Sequence, residues 1–108
     1  MQALNDGRLL NKKSVELMYT PMRTRTGAIS GFPHTGGYGM GWNIAPQPSG
    51  LVVLNDGGQQ ETRTFILNFP CEHFAMAIAQ NLERDTGGAL IFRLYQLVLG
   101  KPFKAGAE

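Results

Sequence analysis

The chain has 108 residues, 43% of them apolar and 17% charged, which is the composition of one small globular domain with a modest core and excludes a disordered chain. A net charge of +2 with scattered basic residues, Arg23 and Arg25 lying close but with no stripe following, argues against a nucleic-acid partner. Cys71 is the single cysteine and there are two histidines, so an internal disulfide is impossible, a structural zinc site has almost no ligands, and no metal or cofactor is expected.

The first residues, Met1 to Gly7, lack the charged and apolar regions of a signal peptide, and no apolar stretch approaches the ~20 residues of a membrane span. Compartment is not readable from these residues. Asn11 caps a short predicted helix over Lys12 to Tyr19, with Val15, Leu17, Met18 and Met22 as apolar contacts and Pro21 as its stop. Thr24 to Gly37, rich in Gly, Pro, Ser and Thr, reads as a long loop of the kind that covers or serves a site. Tyr38-Gly39-Met40-Gly41-Trp42-Asn43-Ile44 alternates small and large residues, which predicts a strand whose glycines admit a close neighbour. Ala45 to Ser49, with two prolines, predicts a turn.

The second half is more regular. Leu51 to Leu54 predicts a strand, Asn55-Asp56-Gly57-Gly58-Gln59-Gln60 a hairpin turn, and Thr62 to Phe69 the returning strand, closed by Pro70. His73 to Asn81 predicts another strand, with Phe74, Met76 and Ile78 on one side and Ala75, Ala77 and Ala79 on the other. Two apolar faces suit a central strand with a helix packed over the alanines. A final helix, capped by Asp85 or Thr86, carries a core stripe of Leu90, Ile91, Leu94, Leu97 and Val98 and ends at Gly100 before Pro102. The predicted fold is α+β: an antiparallel sheet of three to four strands, a short N-terminal helix, and a C-terminal helix packed on the sheet.

Several of these segments, in this order, resemble the penicillin-recognising serine hydrolases, the family of class C β-lactamases, DD-peptidases and related esterases. Ser14-Val15-Glu16-Leu17-Met18-Tyr19-Thr20-Pro21 resembles a family helix ending in Met-x-x-Pro. Tyr38-Gly39-Met40-Gly41-Trp42 is similar to the Tyr-Gly-Leu-Gly-Trp strand before the family's third motif, and Asn55-Asp56-Gly57 stands where that motif, Lys-Thr-Gly or His-x-Gly, is expected. Gly57 to Thr64 resembles the following Gly-Gly-Gln turn, with Glu61 in place of a usual glycine, and Phe74 to Leu82 resembles the last strand, with Asn81 at its end.

The resemblance implies the C-terminal third or so of a family member, a partial β-lactamase-like αβα sandwich, with residues 1–108 a single domain or fragment. It implies third-motif roles for Asn55, Gly57 and Gly58, the Gly58 backbone N–H serving as an oxyanion donor. Asn55 brings no positive charge and Asp56 adds a negative one, which weakens recognition of a substrate carboxylate. The residues by themselves also fit an Asp-Gly turn without chemistry.

The nucleophile motif is missing. Three residues after Ser14, Ser30 and Ser49 stand Leu17, Pro33 and Val52, so there is no Ser-x-x-Lys. No Tyr-x-Asn or Ser-x-Asn occurs either. His34-Thr35-Gly36 matches His-x-Gly but precedes the Tyr38–Trp42 strand instead of following it. Two functions follow as expectations. One is the C-terminal part of a serine hydrolase acting on an ester, amide or β-lactam, inactive alone and completed by a missing N-terminal part. The other is a non-catalytic, stand-alone oligomeric structural or binding module derived from that fold. The strand Phe74 to Asn81, deprived of an outer neighbour, is expected to self-associate through its edge.

Overall fold

The computed structural model describes residues 1–31, 36–48, 50–82 and 87–102. Helix α2, Lys12–Met18, starts where the Asn11 side chain accepts a hydrogen bond from the Ser14 N–H at 2.9 Å. Its inward residue is the buried Val15, and Tyr19 closes its C-terminus. A four-residue helix, α1, Gln2–Asn5, precedes it and is absent from the expectations above.

Four strands follow as an antiparallel meander: β1, Asn43–Gln47; β2, Gly50–Gln59; β3, Thr62–Phe69; and β4, Phe74–Gln80. The strand expected over Tyr38–Ile44 begins only at Asn43 and runs through Ala45 and Pro46, residues assigned above to a turn. Pro46 is tolerated because β1 is an edge strand, where a missing N–H need cost no ladder bond. Before it, Gly39 lies against the end of α2: a Cβ there would meet the Met18 carbonyl oxygen at 2.3 Å. That glycine is required by close approach, as its small-large alternation suggested.

The hairpin expected at Asn55–Gln60 is displaced. Strand β2 continues through Asn55, Asp56, Gly57 and Gly58 to Gln59, which pairs with Thr62, and the turn is the two residues Gln60 and Glu61. Cross-strand pairing overrides the local Asp-Gly signal, since each step of the ladder from Leu54 onward finds a partner on β3. Glu61 sits at φ 62°, the left-handed region that a glycine adopts freely. Glu61→Gly is expected to raise stability by roughly 0.5–1 kcal/mol, the left-handed strain removed less the chain entropy a glycine adds. A urea melt of the variant with an unchanged or lower midpoint would contradict this.

The sheet separates two apolar clusters, and consecutive β2 residues alternate between them. Val53 and Ile44 pack with Val15 and Tyr19 from the α2 side. Val52, Leu67 and Phe69 pack with Ile91 and Tyr95 of α3, Gly87–Leu99, on the other side. Phe74, Met76 and Ile78 join this second cluster, so the closing helix covers the large residues of β4 and not, as expected above, its alanines. The stripe it turns inward shares Ile91 with the expected one but not Leu90, Leu97 or Val98. Ile91 and Tyr95 are buried and Leu99 packs beside them, whereas Leu90, Leu97 and Val98 are exposed, Leu97 at 79%. The proposed caps Asp85 and Thr86 lie outside the described residues. Gly100, at φ 68°, donates its N–H to the Gln96 carbonyl at 2.9 Å and ends the helix as expected.

A polar clasp fixes α3 to the short 3-10 turn Pro70–Glu72. The Tyr95 hydroxyl donates to Glu72 Oε1 at 2.6 Å, and Lys101 Nζ lies 3.0 Å from Glu72 Oε2. The hydrogen bond to Glu72 holds the Lys101 ammonium above its ordinary pKa.

Candidate functional site

The third-motif positions lie on the outer half of β2. Strand β1 pairs with β2 only from Gly50 to Leu54. Beyond Leu54, the described residues place no strand against that edge, so Asn55 to Gln59 are paired with β3 on one side only. Gly58 lies opposite Arg63 and Gly57 opposite Thr64. An open backbone edge is what an extended ligand needs in order to add as a further strand.

The Asn55 side chain is committed to the fold. Its Nδ2 donates to the Gly41 carbonyl at 2.9 Å and its Oδ1 accepts the Asp56 N–H at 3.0 Å. This ties the strand to the Tyr38–Trp42 segment. A pocket of about 540 Å³ opens beside this tie, lined by Ser30, Gly31, Tyr38, Asn43, Asn55 and Asp56. Asn43 is buried there with its Oδ1 unpartnered, which leaves an acceptor available at the base of the strand.

A second cavity of about 540 Å³ lies on the sheet face opposite α3. Trp42 walls it, and Asn55, Gly57, Thr64, Ile66, Ala77 and Ala79 line its floor. The α2 side reaches only as far as the row of Val53 and Asn68, so the rows beyond it stand open. Small residues dominate this floor, and a helix or ligand can approach the sheet closely there. Trp42 itself packs edge-on to Tyr19, with ring centroids 6.1 Å apart.

Among the described residues, Ser30 has no base beside its hydroxyl. Ser14 donates its N–H to the cap of α2. The Ser30 hydroxyl reaches the Met22 and Tyr38 carbonyls, at 2.9 and 3.4 Å, and not a base. Ser49, like His34, lies outside the described residues. His73 is exposed, in the left-handed conformation that closes the 3-10 turn. Arg23 donates to the Gly27 carbonyl at 2.8 Å within its own loop, and Asn81 is exposed just past β4. Among the described residues no group of three or more His, Cys, Asp or Glu could hold a metal ion, and no helix is long and apolar enough to cross a membrane.

The sequence reading missed one polar cluster. Asn68, fully buried on β3, exchanges hydrogen bonds with Asn5 at 2.8 and 2.9 Å and donates to the Tyr19 hydroxyl at 2.9 Å. The Tyr19 hydroxyl also bonds Asn5 Oδ1 at 3.0 Å. Burial raises the Tyr19 pKa while the Asn68 bond opposes it, so the phenol stays protonated through neutral pH. The cluster joins α1, α2 and the sheet and is structural. Only an asparagine inside an apolar strand pattern hinted at it.

Searched against family models, curated proteins and solved structures, the chain matches none.

Proposed function

We propose that this chain is the C-terminal part of a β-lactamase-related serine hydrolase, catalytically inert alone, whose nucleophile is supplied by residues outside this sequence. The observation that carries the reading is the open outer edge of β2 at Asn55, Gly57 and Gly58, the segment that resembles the family's third motif. There the Gly58 N–H has the role of stabilising the oxyanion of an acyl-transfer intermediate, a role that needs only a backbone donor. Asn55 anchors the neighbouring loop through Gly41 and lacks the positive charge of the family's Lys or His, so a neutral ester suits the site better than a carboxylate-bearing β-lactam or peptide. The cavity floored by Gly57, Ala77 and Ala79 offers the contact surface for a helix bearing the missing Ser-x-x-Lys.

The second reading, a non-catalytic module, is favoured by the absence of Ser-x-x-Lys and by the structural bonds of Ser30. Treating the chain with a fluorophosphonate probe and measuring intact mass tests the inert-alone part of the proposal. No adduct is expected. A single stoichiometric adduct means that this chain carries its own activated nucleophile and overturns it.

A further inference from the structure

The pocket beside the Asn55–Gly41 tie is rich in groups that accept hydrogen bonds. Asn43 is 5% exposed, and its Oδ1 has no hydrogen-bond partner among the described residues. A buried oxygen of this kind calls for a donor from outside the chain. The Ser30 hydroxyl commits its one hydrogen to the Met22 carbonyl at 2.9 Å, so its oxygen is left to accept. The Asn55 side chain adds no donor, because its Nδ2 is spent on the Gly41 carbonyl and its Oδ1 on the Asp56 N–H.

Charge points the same way. Asn43 lies opposite Leu54 in the ladder between β1 and β2, and residues two apart on a strand share a face. Asp56 therefore stands on the face that Asn43 shares, two positions beyond the last β2 residue that β1 covers. It is exposed and makes no ion pair among the described residues. No lysine, arginine or histidine is among the described residues that line the pocket. Tyr38, 37% exposed, is the aromatic residue of the lining, and an aromatic wall suits a cation.

We propose that this pocket binds a small organic molecule through a primary ammonium group. An alkylammonium carries three N–H donors, one positive charge and no acceptor. That is the complement of the Asn43 Oδ1, the Ser30 oxygen and the Asp56 carboxylate. A carboxylate or phosphate would meet Asp56 and acceptor oxygens with no lining cation to offset them. A neutral alcohol brings one donor and leaves Asp56 unpaired. The volume of about 540 Å³ is that of a small-molecule site. The inference rests on this pocket and not on the hydrolase reading.

Titration of the isotope-labelled chain with n-butylammonium chloride, followed by NMR, tests it, with sodium butyrate and n-butanol at matched ionic strength as comparisons. The Asn43 side-chain amide and the Asp56 backbone N–H are expected to shift saturably with millimolar n-butylammonium and not to respond to butyrate or butanol. Asp56→Asn keeps the shape of an exposed side chain and removes its charge, and is expected to raise the dissociation constant about fivefold. Asn43→Ala is expected to raise it about tenfold. Asn43 is buried, so should that variant fail to fold, Asp56→Asn decides the question. The absence of any saturable shift means that water satisfies Asn43 and overturns the proposal. An equal response to butyrate or butanol, or undiminished binding by Asp56→Asn, overturns it as well.

Discussion

Asn68→Ala is expected to destabilise the fold by roughly 3 kcal/mol, lowering the melting temperature by about 12–20 °C, because three hydrogen bonds vanish from a site with no solvent access. Asn68 is 0% exposed, and its partners Asn5 and Tyr19 belong to both N-terminal helices and their boundary. Removing its amide leaves Asn5 without its reciprocal partner and Tyr19 without a donor in a confined space. Asn5→Ala is expected to cost less, since Asn5 is only half-buried and water can replace it. The double variant should cost less than the sum, a coupling that thermal or urea melts of the four proteins measure directly. Strict additivity would mean the cluster is not a unit. The same cluster sets an alkaline limit. Tyr19 has a raised pKa in the fold, so its contribution is fully present below the unfolded value of 10.0 and is lost as pH rises through the folded value.

Phe69→Ala is expected to cost 3–5 kcal/mol, the usual range for a buried phenylalanine whose site cannot collapse. Phe69 is 1% exposed, with its ring centroid 4.9 Å from that of Tyr95 and 5.5 Å from that of Phe74. It is the piece of the sheet on which α3 rests. Its loss should therefore loosen the helix before the strands, read as faster amide exchange from Ile91 to Leu99 than in β2 and β3. The comparison that gives this meaning is Leu97→Ala on the same helix. Leu97 is exposed, and its removal should change stability by no more than about 0.5 kcal/mol in the isolated protomer. Equal costs at the two positions would contradict the orientation of α3.

These two residues mark where the sequence was and was not legible. The strands β3 and β4 were read nearly to the residue because Pro70 and the alternation of large and small side chains are local signals. Strand β1 was not, because two prolines outweigh a strand signal unless the strand is known to lie at an edge, which is a property of the whole sheet. Helix α3 was placed correctly but its inward stripe was read only in part, Ile91 being right and Leu90, Leu97 and Val98 not: Leu90, Ile91, Leu94, Tyr95, Leu97, Val98 and Leu99 make it apolar nearly all round, and periodicity cannot choose a face on such a helix. The Asn68 cluster spans sixty-three positions between its two asparagines and leaves no trace in any short window. At the candidate site, Gly57 and Gly58 read as a turn because Asn-Asp-Gly-Gly is a turn by composition. Pairing along β3 extends the strand through them and carries them onto an open edge, which local chemistry does not reveal.

The most direct test of the hydrolase proposal is fluorophosphonate labelling of this chain together with the polypeptide encoded in frame upstream of Met1, followed by intact-mass analysis of both. The upstream polypeptide is expected to contain Ser-x-x-Lys, to bind this chain, and to take up one probe molecule only when this chain is present. Absence of any such upstream segment, or labelling that is indifferent to this chain, would contradict it.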